Sequence, residues 1–138
     1  MIKIITCSEN SHLVKELSEL LHSQWDKIDP MFAVSLPSPL VAMDERDRLS
    51  GGLVFTFAPE PNGSNPAVWV NAVIVKPEQR GRGIASTLVR AAKSHAAQEQ
   101  NIDRLYVYTD VIDLYRKTGW SIVQQDGSNA VLTTVASS

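Results

Sequence analysis

Residues Ala67 to Val75 are apolar apart from Asn71. Val68, Trp69, Val70, Val73, Ile74 and Val75 make a nearly continuous β-forming run, the pattern of a central strand covered on both faces. Pro77 ends it, because proline offers the ladder no N–H. A helical pattern then runs from about Gly83 to Gln100, with Ile84, Leu88, Ala92 and Ala96 at four-residue spacing. Leu105 to Thr109 reads as a second strand. Strand, helix and strand in this order form a right-handed crossover, which makes the two strands parallel. A parallel pair needs both sheet faces covered, so all-α and all-β folds are excluded.

The rest of the chain is arranged around this unit. Ile2 to Thr6 reads as a short buried strand. Ser8 is an expected N-cap for a helix over residues 9 to 22, with Leu13, Leu17, Leu20 and Leu21 as its apolar stripe. Pro30, Pro37 and Pro39 break up residues 23 to 38, where a short helix is expected near Gln24. Leu40 to Met43 and Leu53 to Phe57 read as a hairpin over the polar turn Asp44 to Ser50. Pro59 to Pro66 is a loop. Asp110 is the expected N-cap of a short helix that has Arg116 and Lys117 in its last turn and ends at Gly119. Trp120 to Val123 and Ala130 to Val135 close the chain as a hairpin over Gln125 to Asn129. The order β-α-(α)-β-β-β-α-β-α-β-β implies a mixed three-layer α/β sheet, and 138 residues suit one domain spanning 1–138.

Charge narrows the class of ligand. The chain as a whole carries a formal charge of -2, yet Lys76 to Lys93 holds five Lys and Arg residues against Glu78 alone. A compact basic segment in an acidic chain points to one defined anion, with no nucleic-acid or membrane partner. Cys7 is the sole cysteine, so no intrachain disulfide forms, and it reads as a small buried hydrophobe. His12, His22 and His95 lie at unrelated spacings, read as surface helix residues, and imply no metal site. Met1 to Thr6 lacks a signal-peptide core and no apolar run approaches a membrane span, so a cytoplasmic location is expected.

Gln79-Arg80-Gly81-Arg82-Gly83-Ile84-Ala85 joins the best strand to the best helix. Its glycines permit a sharp turn and close approach of backbone to ligand. The free N–H groups of the following helix favour an anion, and Arg80 and Arg82 add charged donors. Phosphate or pyrophosphate is the implied ligand. A Walker loop is excluded, since no Gly-Lys-Ser/Thr occurs. A dinucleotide fingerprint fits Gly81 and Gly83 but meets Ser86 where its third glycine belongs. The segment resembles the Gln/Arg-x-x-Gly-x-Gly/Ala loop of the GNAT superfamily of N-acetyltransferases. Leu114-Tyr115-Arg116-Lys117-Thr118-Gly119-Trp120 is similar to a second segment of that family, on the expected element. Gly119 and Trp120 are read as a helix cap and a core residue.

The resemblance implies acetyl-CoA as co-substrate. Two parallel strands would splay apart, with the pantetheine arm paired to the backbone of Val73, Ile74 and Val75. The pyrophosphate would rest on the N–H groups of Arg80, Gly81, Arg82, Gly83, Ile84 and Ala85, with Ser86 as a hydroxyl contact. Tyr115 would stand near the thioester sulfur as general acid, and the Val73 N–H would polarise the carbonyl. Activity would then fall at high pH as the phenol ionises. No base is evident: Asn71 is unsuited, Glu78 reads as solvated and Asp110 as a cap, which leaves water-relayed deprotonation. The expected activity is acetyl transfer from acetyl-CoA to a primary amine, on a small molecule. Trp25, Met31 and Phe32 lie where this family builds its acceptor wall, although core packing explains them equally. The alternatives are a non-catalytic acyl-CoA sensor or subunit and a dinucleotide-binding module. Family members often form homodimers.

Overall fold

The computed structural model describes residues 1–137. Seven strands form one sheet: β1 (Lys3–Thr6), β2 (Leu40–Met43), β3 (Leu49–Pro59), β4 (Pro66–Val75), β5 (Arg104–Thr109), β6 (Ser121–Asp126) and β7 (Asn129–Val135). Their order across the sheet is β1-β2-β3-β4-β5-β7-β6. Every neighbouring pair is antiparallel except β4 and β5. The helices are α1 (Leu13–His22), α2 (Ile84–Gln100) and α3 (Ile112–Arg116), and a single 3-10 turn covers Pro77–Gln79. The expected mixed α/β sheet with a parallel central pair is present.

The sheet has helices on both faces. Leu13, Leu17 and Leu21 of α1 pack on Val41, Met43, Val54, Ala72 and Ile74. Ile84, Leu88, Ala92 and Ala96 of α2 pack on Leu40, Ala42, Leu53, Phe55, Val68, Val70, Leu105 and Leu132, with Tyr115 of α3 in the same cluster. Gly52 is what lets α1 approach, since a Cβ there would sit 2.4 Å from Leu17 Cδ1.

Strand β4 changes phase along its length. Val68 and Val70 face α2, whereas Ala72 and Ile74 face α1. Side chains alternate with period two, so even-numbered residues cannot swap faces unless one residue is extra. The register shows where it is: Val54 pairs with Ala72 but Phe55 pairs with Val70, leaving Asn71 unopposed. Asn71 is thus the bulged residue, and a bulge bends the strand that carries it. The parallel pairing of β4 to β5 ends at this point, covering only Val68, Trp69 and Val70.

Several boundaries differ from the sequence reading. Helix α1 starts at Leu13 because the Ser8 carbonyl closes a turn to the Ser11 N–H, and Ser11 Oγ accepts from the Leu13 N–H at 3.1 Å. Ser11, not Ser8, therefore serves the helix start. No helix forms near Gln24, where the chain makes turns only. Strand β3 begins at Leu49, because Gly51 and Gly52 pair with both β2 and β4. Asp110 caps nothing: α3 follows Val111, whose N–H is taken by Thr109 Oγ1 at 2.9 Å. Gly119 does close α3, at φ +96, with Gly119 N–H bonded to Arg116 O and Trp120 N–H to Tyr115 O.

Candidate active site

Past Asn71 the two central strands separate and leave a cavity of about 370 Å³ between them. Residues Val70 to Val73 of β4 form one wall and Val107 to Val111 the other. Leu114 and Tyr115 reach in from α3, Gln24 and Trp25 from the α1–β2 connection, and Asn129 from β7.

The free edge of β4 supplies the polar groups. The Lys76 N–H donates to Ser50 O at 2.8 Å, across to β3. Alternation then turns the N–H groups of Ile74 and Ala72 toward β3 and those of Val73 and Val75 toward the gap. The Val75 carbonyl on that edge accepts from Arg80 Nε at 3.2 Å.

A smaller concavity of about 130 Å³ continues from this edge, lined by Val75, Gln79, Arg80, Gly81, Gly83, Ile84, Ala85 and Ser86. Gly81 and Gly83 both adopt positive φ, +81 and +77. An added Cβ at either would meet nothing within 4 Å, so glycine is required there by the backbone angle and the open space is left for a ligand. The first helical bond of α2 runs from the Thr87 N–H to Gly83 O at 3.0 Å. The N–H groups of Ile84, Ala85 and Ser86 therefore have no helical carbonyl to bond, and they carry the positive end of the α2 dipole. Ile84 contributes backbone only, since its side chain is buried in the core.

The basic residues divide. Arg80 lines this cradle, but the Arg82 side chain lines a separate cavity of about 760 Å³ beside the β2–β3 turn. That cavity is larger and carries charges of both signs, with Arg48 paired to Asp44 at 3.3 Å and the N-terminus to Glu45 at 3.0 Å. Lys93 is committed to structure, with its Nζ donating to Thr118 O at 3.1 Å beyond the C-terminus of α3.

Tyr115 is 4% exposed, and the Trp120 ring meets it edge-on at 5.1 Å. Burial pushes its phenol pKa well above the ordinary value. The hydroxyl thus stays protonated throughout the usual assay range. No fall in activity through Tyr115 ionisation is expected there, which corrects the sequence expectation.

A family model described as the acetyltransferase (GNAT) family matches residues 5–120. The chain belongs to the GNAT acetyltransferase family. Solved GNAT-like structures share its fold. That of yncA from Salmonella typhimurium with its cofactor acetyl-CoA has a TM-score of 0.73 at 12% identity, covering 100% of this chain and 95% of that one. YhbS from Escherichia coli, in complex with CoA, has a TM-score of 0.70 at 16% identity and covers 99% and 81%. The spermidine/spermine N-acetyltransferase SpeG from Vibrio cholerae has a TM-score of 0.70 at 15% identity and covers 99% and 95%. Among curated proteins none matches the sequence.

Within this GNAT fold Leu114 and Tyr115 of the second motif line the gap between β4 and β5, and the glycine loop lines the smaller concavity that starts at Val75. Sequence reasoning did not find Gln24, Tyr108 and Asn129. Tyr108 had a usable signal, an aromatic near the C-terminal end of a parallel strand, where α/β sheets bind ligands. Gln24 and Asn129 had none. His95 is not a surface residue as expected: its Nε2 lies 2.9 Å from Ser38 O, largely buried against Phe55. Cys7 is fully buried, and burial pushes its thiol pKa up. Among the described residues no helix is long and apolar enough to cross a membrane.

Proposed function

We propose that residues 1–138 form a single N-acetyltransferase domain that transfers acetyl from acetyl-CoA to a primary amine on a small molecule. The observation that carries this reading is the continuity of free donors, from the Val73 and Val75 N–H groups through the α2 N-terminus. That line suits an extended amide-bearing arm ending in a pyrophosphate. The residues present fit acetyl-CoA, which supplies the activated acetyl group when bound.

In this reading the Val73 N–H hydrogen-bonds the thioester carbonyl, where negative charge develops as the amine attacks. The attacking nitrogen forms a bond to the carbonyl carbon, the carbon–sulfur bond breaks and the electron pair leaves on sulfur. Tyr115 holds a proton toward that sulfur. Its raised pKa makes full proton transfer to a thiolate of reference pKa about 8.5 uphill, so Tyr115 acts chiefly as a hydrogen-bond donor to the leaving sulfur. The ammonium proton leaves through water, since among the described residues the one carboxylate lining the gap, Asp110, is exposed at its rim.

Saturating acetyl-CoA, at 100 times its dissociation constant, adds about 2.7 kcal/mol to stability. A thermal-shift series should show a clear rise with acetyl-CoA and little with NAD. CoA release with an amine panel then separates an enzyme from a non-catalytic acyl-CoA sensor.

A further inference from the structure

The residue that does not cap α3 is left free for another task. Asp110 lines the gap cavity and is exposed at its rim. It takes part in none of the ion pairs, which are Met1–Glu45, His22–Asp29, Arg48–Asp44 and His95–Glu99. Among the described residues no Lys, Arg or His lines the same cavity, so Asp110 is its one formally charged residue. The neutral surface around it suits a cation. Trp25 and Tyr108 line the same cavity, and an ammonium near an aromatic face is attracted to it. The Tyr108 hydroxyl lies 3.5 Å from Asp126 Oδ2, a carboxylate outside the cavity lining.

We infer that Asp110 determines acceptor specificity: it holds a positive charge on the acceptor, and it rejects amines that carry a carboxylate. The chemical class that fits is a linear diamine. One nitrogen reacts in the gap while a second, still protonated, sits against Asp110. An amino acid places its carboxylate in a cavity with no cation to receive it, next to one that repels it. The inference rests on the acetyl-transfer reading for the identity of the cavity. The residue involved lies outside the acetyl-CoA cradle.

The test is calorimetric titration of CoA-saturated protein, which reads acceptor binding without turnover. The probes are a linear diamine and the ω-amino acid of equal chain length. The wild-type protein should bind the diamine at least tenfold more tightly. Asp110→Asn should weaken diamine binding about tenfold, the scale of one charge-assisted hydrogen bond. Asp110→Lys should reverse the preference. CoA affinity should be the same in all three proteins. Diamine binding no tighter than that of the ω-amino acid, undetectable binding included, overturns the inference, as does an unchanged diamine affinity in Asp110→Asn. Those outcomes leave the acetyl-CoA reading standing. Failure of CoA itself to bind, seen before any amine is added, overturns both.

Discussion

The two halves of β4 have nearly the same composition and opposite uses. Before Asn71, Val68, Trp69 and Val70 are paired on both edges, to β3 and to β5. After it, Ala72 to Val75 are paired to β3 alone. The first half is core. The second keeps its apolar faces buried while one backbone edge stays open. One extra residue makes the difference, by bending the strand and shifting its phase. An open edge inside a sheet is a row of unmet donors and acceptors, tolerable where a ligand completes it. In the proposed function, structural and binding duties are thus divided along a single strand.

Deletion of Asn71 should have the largest effect. It forces one half of β4 out of phase, turning either Val68 and Val70 or Ala72 and Ile74 off their faces. Loss of even two such burials costs about 3 kcal/mol or more. Denaturant unfolding should show this, and an unchanged midpoint would mean that the bulge does not set the phase. Tyr115→Phe keeps the ring that packs on Trp120 and removes only the hydroxyl. The turnover number, kcat, should fall at least tenfold, about 1.4 kcal/mol, with acetyl-CoA affinity unchanged. Burial raises the Tyr115 pKa, so the protonated form persists and no alkaline limb from this residue should appear below about pH 10, the reference phenol value. A full-rate variant would reduce Tyr115 to packing. Gly83→Val should leave the protein folded, since no atom lies within 4 Å of its Cβ. The positive φ costs about 1–2 kcal/mol of stability. Acetyl-CoA affinity should nevertheless drop about tenfold, because the new side chain enters the cradle. Native affinity in the folded variant would show that the loop is a plain turn.

Much of this was legible in the sequence, for identifiable reasons. The central strand, α2 and the glycine loop announce themselves through local chemistry: a β-branched run, four-residue periodicity, and glycines that the positive φ at Gly81 and Gly83 requires. The phase change was not legible. Asn71 looks like one polar residue in an apolar strand, and only the opposing register of Val54 and Phe55 makes it a bulge. Asp110 was misread for a related reason. An Asp ahead of a helical segment is a fair cap from sequence, but α3 begins at Ile112 with Val111 at the cap position, its N–H bonded to Thr109 Oγ1. The lining of the gap was the least legible part. Trp25 was named from sequence, but Gln24 and Asn129 come from an irregular connection and from β7, and only the tertiary fold brings them to the gap.

Residue-resolved amide hydrogen exchange, with and without acetyl-CoA, tests the central claim most directly. The Ala72 and Ile74 N–H groups face β3 and should be protected in both states. The Val73 and Val75 N–H groups face the gap and should exchange readily in the free protein, then become protected when acetyl-CoA is added. Tight binding that leaves Val73 and Val75 as exposed as before would contradict the account, because the cofactor arm would then lie somewhere other than the open edge of β4.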